Sequence, residues 1–293
     1  MRLAFVHGIN NQGNTKQEIE DSWWGTLEKT WADMGLPTKS KPPISTAYYA
    51  DILADAADKG NDAIPMGATE ASTGYALQFL KEYAEAAGVT QEELNAAADK
   101  AGISREAVAQ GFPHEGWIID FATLLEEILP DKGKFIAELF LRQSVVYIND
   151  KVLALKIDNK VKADIFDNLS DPTVVVAHSL GTVISYRLLA NNQQATRNIP
   201  LIVTLGSPLS VQVFKPILPA KGQLPNPPIE KWCNGRDPKD FITLGRDINK
   251  DSIGFDGIEN TTEIVPDPEG DCHSIKHYLA SPFIAKIIYN QLF

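Results

Sequence analysis

The stretch Thr173 to Leu189, TVVVAHSLGTVISYRLL, constrains the fold most. It opens with a run of β-branched residues, apolar at successive positions, as in a strand buried on both faces of a parallel sheet. Helical character follows at once, through Val183 to Ala190. Only Ala177-His178-Ser179-Leu180-Gly181 is left to reverse the chain. A strand-to-helix reversal that tight needs small residues two before and two after its apex, because neighbouring backbones meet there. It holds Ser179 in a strained conformation with the hydroxyl presented at the end of the sheet.

The remaining rhythm agrees with a parallel sheet. Leu3 to Val6 reads as a short buried strand ending at His7-Gly8, and Ile44 to Ala50 as a second. Between them, Ile19, Trp23, Leu27 and Trp31 recur at helical spacing over Glu18 to Met34. Leu201 to Leu205 is a further buried strand, ending at Gly206-Ser207-Pro208, with weaker strands at Ile229 to Asn234 and Ile258 to Val265. Ser281-Pro282 then opens a last helix to about Leu292, with serine at the N-cap and proline at the first helical position. From about residue 55 to 168 the chain is Ala-rich and helical with no convincing strand. Thr90 to Glu93 is a capping box, Tyr75 to Ala87 carries a stripe through Phe79, Leu80 and Tyr83, and Ile118, Phe121, Ala122, Leu125, Ile128 and Leu129 form another. Packing among helices is the ordinary reading of such stripes; the sharper one is a lid over an apolar site.

At 293 residues, one α/β domain with a helical insertion accommodates the whole chain. The net charge of −11 gives no electrostatic footprint for nucleic acid and repels an anionic membrane surface. No window of 18 apolar residues suggests a stable membrane span. The opening MRLAFVHGINNQG is too short an apolar stretch for an export signal, and the two cysteines, Cys233 and Cys272, suit neither a disulfide scaffold nor a zinc site. A cytoplasmic protein with free thiols is expected.

Four regions, FVHGINN, VVVAHSLG, TLGSPLS, and the pair WCNGRDPKDFITL and DCHSIKHYLASP, make the sequence resemble the lipase and esterase branch of the α/β-hydrolases. Ala177 stands where that family usually has glycine. The resemblance implies a mostly parallel sheet of the α/β-hydrolase fold with a large helical insertion, a cap or lid, at about 55–168. It also implies a triad in the chain order Ser179, Asp240, His273. A serine hydroxyl is a poor nucleophile until an imidazole takes its proton, so Ser179 requires His273 as base and then as acid. Asp240 would fix the imidazole tautomer and stabilise the imidazolium. The oxyanion would be held by the backbone N–H of Leu180 and, by resemblance to lipases with a His-Gly-Ile segment, by that of Ile9, at about 3 kcal/mol of barrier per donor.

Two neighbours compete for these roles. Asp237 precedes Pro238 and reads as a turn-former. His277, four residues after His273, would share its face if SIKHYL is helical. His7 is expected to shape the oxyanion loop, His178 to pack behind the turn, His114 to be an exposed loop residue, and Trp23, Trp24 and Trp31 to be core; Asn10 and Asn11 divide between loop formation and the site. The activity implied is a serine carboxylester hydrolase needing no cofactor and no metal, acting on a small-molecule or lipid ester, with an acyl-chain substrate favoured by the length of amphipathic helix. Acyl transfer or thioester hydrolysis would use the same triad, and a hydrolase-fold binding module without activity is the non-enzymatic alternative.

Overall fold

The computed structural model describes residues 1–9, 11–59, 70–109, 117–128, 142–167, 171–190, 198–222, 229–254, 256–266 and 271–293. His114 and Asn10 lie outside them. By internal contacts the chain divides into two compact units, Met1–Ala50 with Leu155–Ser210 and Phe214–Phe293, and Asp51–Ala154 with Val211–Val213.

The first unit is built on a six-stranded sheet, all parallel, in the order β2-β1-β3-β4-β5-β6. The strands are β1 (Arg2–Val6), β2 (Ile44–Ala47), β3 (Thr173–His178), β4 (Leu201–Leu205), β5 (Trp232–Gly235) and β6 (Ile258–Thr261). Successive strand residues face opposite sides, and in the central strands both sides are buried. Leu3, Phe5, Val174, Val176, Leu201 and Val203 join one apolar cluster with the helices Lys16–Asp33 (α1) and, at the C-terminus, Pro282–Leu292. The alternate residues Ala4, Val6, Val175, Ala177 and Ile202 are equally inaccessible. The helix Leu180–Ala190 packs against β3 and β1. Burying each such Val, Leu or Ile contributes about 1.5–3 kcal/mol, which explains why these strands read as continuous apolar runs.

The tryptophans of α1 are core, as expected: Trp23, Trp24 and Trp31 are buried, and the Trp31 indole N–H donates to the Ala285 carbonyl at 2.7 Å. α1 opens with a capping box between Thr15 and Glu18. The C-terminal helix opens at Ser281, whose hydroxyl accepts from the Ile284 N–H at 3.4 Å and donates to the Glu263 carbonyl.

Two strands end earlier than their β-forming residues suggest. β2 stops at Ala47 rather than Ala50, because the Tyr49 N–H turns to the His7 ring, 3.3 Å away, and helix α2 (Ala50–Lys59) begins there. β6 stops at Thr261 rather than Val265: the Glu263 N–H bonds the Thr261 hydroxyl and the Ile264 N–H bonds the Thr262 carbonyl, folding the chain off the ladder. The weak fifth strand begins three residues later and ends one residue later than the propensities place it.

The second unit is helical in its described residues beyond α2: α3 (Glu70–Ala86), α4 (Gln91–Ala101), α5 (Arg105–Ala109), α6 (Trp117–Ile128) and α7 (Arg142–Asn149). α4 packs on α5 and α6, and α3 on α6 and α7, burying Phe79, Leu80, Ala98, Phe121, Leu124 and Leu125. The Thr90–Glu93 capping box is formed, and Gly102 ends α4 in left-handed backbone. The helix Lys151–Val161 (α8) crosses the division, so from Leu155 the chain counts with the sheet although it is still helical. Among the described residues no helix is long and apolar enough to cross a membrane.

Cys233 and Cys272 form no disulfide. Burial, aided by the nearby charge of Glu259, pushes the Cys233 thiol up to about 12, whereas Cys272 is half-buried. Titration with a thiol reagent is therefore expected to detect one thiol per native chain and a second only after unfolding; two equally fast thiols in the native protein would contradict the burial of β5.

Candidate active site

The chain reverses its order of strand addition between β1 and β3: one connection leads outward to β2, the other toward β4, β5 and β6. In open parallel sheets such a switch point is where the loops at the carboxyl ends of the strands leave a crevice. Every sequence-designated site residue follows a strand at that edge: Ile9 after β1, Ser179 and Leu180 after β3, Asp240 after β5, and His273 after β6.

Ser179 has φ +53°, in the left-handed region that a non-glycine residue enters only at a cost. Its N–H donates to the Leu205 carbonyl at 3.0 Å, and its own carbonyl accepts from the N–H and hydroxyl of Thr182 at 2.9 and 2.7 Å. The Thr182 hydroxyl is in turn bonded to Ser207 Oγ at 2.7 Å. The turn fits only because two neighbours have no side chain. A β-carbon on Gly181 would stand 2.4 Å from the carbonyl oxygens of Val6 and His7, and one on Gly8 would stand 2.4 Å from Ser179 Cβ. The helix Leu180–Ala190, now α9, thus starts directly against the loop after β1. The N–H of Leu180, its first residue, has no carbonyl four residues back within the helix to bond.

That loop is braced from behind. His7 donates from Nδ1 to the Gly8 carbonyl at 2.7 Å and accepts at Nε2 from the Tyr49 N–H, which assigns its neutral tautomer. The Tyr49 hydroxyl donates to the His7 carbonyl, and the two rings stack with centroids 4.1 Å apart. Burial, against the bond to Gly8, lowers His7 to about 4, and burial raises the Tyr49 phenol far above its ordinary value. His7 is therefore an uncharged brace and not a base. Asn11 donates from its amide to the Ile9 and Gly8 carbonyls at 2.8 and 3.3 Å, a loop-forming role.

Asp240 and His273 meet, with Nδ1 to Oδ2 at 2.8 Å. The carboxylate, almost fully buried, also accepts from the Ile242 N–H at Oδ1, 2.9 Å, and from the Tyr278 hydroxyl at Oδ2, 2.6 Å. With its proton on Nδ1, His273 carries a lone pair on Nε2. That atom and Ser179 Oγ are both buried and without a hydrogen-bond partner among the described residues, so no hydrogen bond joins Ser179 to His273. They share a neighbourhood nonetheless. Ser179 bonds to Leu205; the next residue is Gly206, whose β-carbon position would lie 3.0 Å from both the His273 ring and Asp240 Oδ2. The residue before Ser179, His178, donates from Nε2 to the His273 carbonyl at 2.9 Å with ring centroids 4.6 Å apart. Burial first, then the facing His273 and His7 rings, holds His178 well below its ordinary value, so it too is neutral and packs behind the turn.

The rival residues form a pair of their own. His277 Nε2 lies 2.9 Å from Asp237 Oδ2, with the imidazole side chain fully enclosed. Asp237 is the turn-former its proline implies: its carbonyl accepts the Asp240 N–H at 3.0 Å and its Oδ1 accepts the Lys239 N–H at 2.7 Å. His273, not His277, is the histidine bonded to the residue preceding Ser179 and lying ring against ring with it. Sequence reasoning did not find Tyr278 or Tyr49: Tyr278 lies within DCHSIKHYLASP without a role assigned to it, and Tyr49 reads only as a β-former in Ile44 to Ala50. Among the described residues no cluster of three His, Cys, Asp or Glu side chains could hold a metal ion.

Two measurements test this geometry. Gly181→Ala, forced against two backbone carbonyls, is expected to lose at least about 1–3 kcal/mol of stability by chemical denaturation. Gly25→Ala, with open space around it in α1, should gain about 0.5–1 kcal/mol. The buried neutral histidines set the pH dependence. The unfolded chain takes up protons below its ordinary histidine value of 6.5, while folded His7 resists them to about 4. Stability is then fully present above pH 6.5 and falls as pH drops toward 4, by about 3 kcal/mol from His7 alone at 1.36 kcal/mol per pH unit, with His178 adding to the same slope. Urea midpoints constant from pH 7 to 4 would contradict it.

Comparison with protein-family models, with curated proteins and with solved structures finds no match to this chain.

Proposed function

We propose that the protein is a serine hydrolase of the α/β-hydrolase fold that cleaves a carboxylic ester, with Ser179 as nucleophile, His273 as base and Asp240 as the acid orienting it. One observation carries the reading. The two atoms between which a proton must pass, Ser179 Oγ and His273 Nε2, are both buried polar atoms with no hydrogen-bond partner among the described residues, while the far nitrogen of the same imidazole is held by a buried carboxylate. A buried polar group left unpaired costs stability and calls for an explanation, and a reacting centre is one. Separation of base from nucleophile before substrate binds is compatible with the chemistry, since such bonds tighten in the complex.

In this mechanism Ser179 Oγ attacks the ester carbonyl as His273 Nε2 takes its proton. The carbonyl oxygen becomes an anion facing the N–H groups of Leu180 and Ile9, where each donor contributes about 100- to 1000-fold in rate. Collapse breaks the bond to the alcohol, which leaves with the proton from His273, and the acyl group stays on Ser179. Water then attacks the acyl-enzyme, giving its proton to His273, and the acid departs as Ser179 recovers it. Asp240 stays ionised throughout and stabilises the imidazolium. An acyl-chain ester is the substrate class we favour: Phe241 lies with its ring 6.3 Å from that of His273, and the residues that carry the proposed oxyanion donors, Ile9 and Leu180, are themselves apolar.

The test is labelling with a fluorophosphonate together with hydrolysis of p-nitrophenyl esters of increasing acyl length. The wild type should be labelled, and Ser179→Ala should lose labelling and several orders of magnitude in kcat while remaining folded. Asp240→Ala and His273→Ala should each lose at least about 1000-fold, and Asp237→Ala and His277→Ala far less. A folded Ser179→Ala enzyme within tenfold of wild type overturns the mechanism; the reverse order at either pair reassigns that role.

A further inference from the structure

Beyond α9 the chain forms the short helices Lys250–Ile253 (α10) and Ile275–Leu279 (α11), and Tyr278, on α11, is fully inaccessible to solvent. Its hydroxyl sits between the two aspartates of the loop after β5. It accepts the Asp237 N–H at 3.1 Å and donates its single hydrogen to Asp240 Oδ2 at 2.6 Å. Burial and the Asp240 charge raise the phenol well above its ordinary value, so it remains a donor. Oδ2 is therefore shared by two donors, the Tyr278 hydroxyl and His273 Nδ1, while the Ile242 N–H holds Oδ1. The adjacent His277, bonded to Asp237 at 2.9 Å, ties α11 to the same loop and so places the phenol.

From this arrangement we infer that Tyr278 is a positioning residue for the reaction, setting through Asp240 both the orientation and the acceptor strength that the carboxylate offers to His273. The inference rests on the proposed hydrolase reading. A carboxylate oxygen whose charge is divided between two donors binds each less tightly than it would bind one. The hydroxyl thus keeps Asp240 Oδ2 turned to the imidazole while tempering the bond, and the Asp237–His277 pair serves the site indirectly by fixing the tyrosine. Among the described residues, the titratable groups around this hydroxyl are Asp237 and Asp240 directly, and His273, His277 and His178 through rings or carboxylates beside it.

Tyr278→Phe removes the hydroxyl and keeps the ring. The His273 Nδ1–H proton, observed by low-field proton NMR at low temperature, should move further downfield in this variant as Oδ2 is left to a single side-chain donor. With p-nitrophenyl esters, kcat should fall about tenfold at unchanged KM, the scale of part of one charge-assisted hydrogen bond. A purely structural tyrosine would leave the resonance in place. In the wild type, cross-relaxation between the His273 Nδ1–H and Tyr278 hydroxyl protons is expected, a measurement that needs no variant to fold; its absence overturns the shared oxygen. An active, fluorophosphonate-labelled wild type whose His273 resonance is unmoved by Tyr278→Phe overturns the positioning role and leaves the hydrolase reading standing. An inactive, unlabelled wild type overturns the hydrolase reading, and this role with it.

Discussion

A left-handed residue with a side chain costs about 1–2 kcal/mol, and at Ser179 the protein meets that cost with tertiary bonds rather than with glycine. The serine's N–H is held by Leu205 of the neighbouring strand, and its carbonyl by both donors of Thr182, which is itself bonded to Ser207 beyond β4. The reversal therefore depends on β3 and β4 being paired in their observed register, His178 opposite Leu205. It also depends on the loop after β1 lying close enough to require Gly8 and Gly181. Three strands and the start of α9 are thereby held to one geometry at the point where the serine hydroxyl sits.

The same economy governs the Asp–His pairs. Asp237 and Asp240 lie at the two ends of one turn, and His273 lies just before the extended N-cap Ser274 of α11 while His277 lies within the helix, so two Asp–His bonds of nearly equal length form side by side. One of them encloses its histidine completely and ties α11 to the loop. In both pairs the imidazole nitrogen turned away from the carboxylate has no hydrogen-bond partner among the described residues, and only His273 lies beside the residues that flank Ser179. Tyr278 joins the two pairs through a single hydroxyl. The neutral His7 and His178 surround this centre without competing for its proton, since burial disfavours charge on either ring.

Much of this was legible in the residues. The β-branched runs around Val175 and Val203 could be buried only in a sheet covered on both faces, and glycine two places after Ser179 signalled a reversal against another backbone. The ends of β2 and β6 were not legible, because Tyr48 to Ala50 and Thr262 to Val265 carry β-forming side chains whose backbone bonds go elsewhere, to the His7 ring and into local turns.

At the site, sequence by itself determined the kinds of residue available and their order along the chain, since turn chemistry and apolar periodicity are local and survive in a string of letters. It favoured Asp240 and His273, through the Asp-Pro turn at Asp237 and the resemblance, and left Asp237 and His277 as rivals three and four residues away. Only the tertiary structure decided that Asp240 takes His273 and Asp237 takes His277, and that His273 is the histidine lying against Gly206 and His178. It also placed the Tyr278 hydroxyl between the Asp237 N–H and the Asp240 carboxylate. The physical reason is that each of these bonds joins chain segments more than 30 residues apart, and their partners are chosen by how the loops after β5 and β6 converge at the edge of the sheet, which no local pattern encodes.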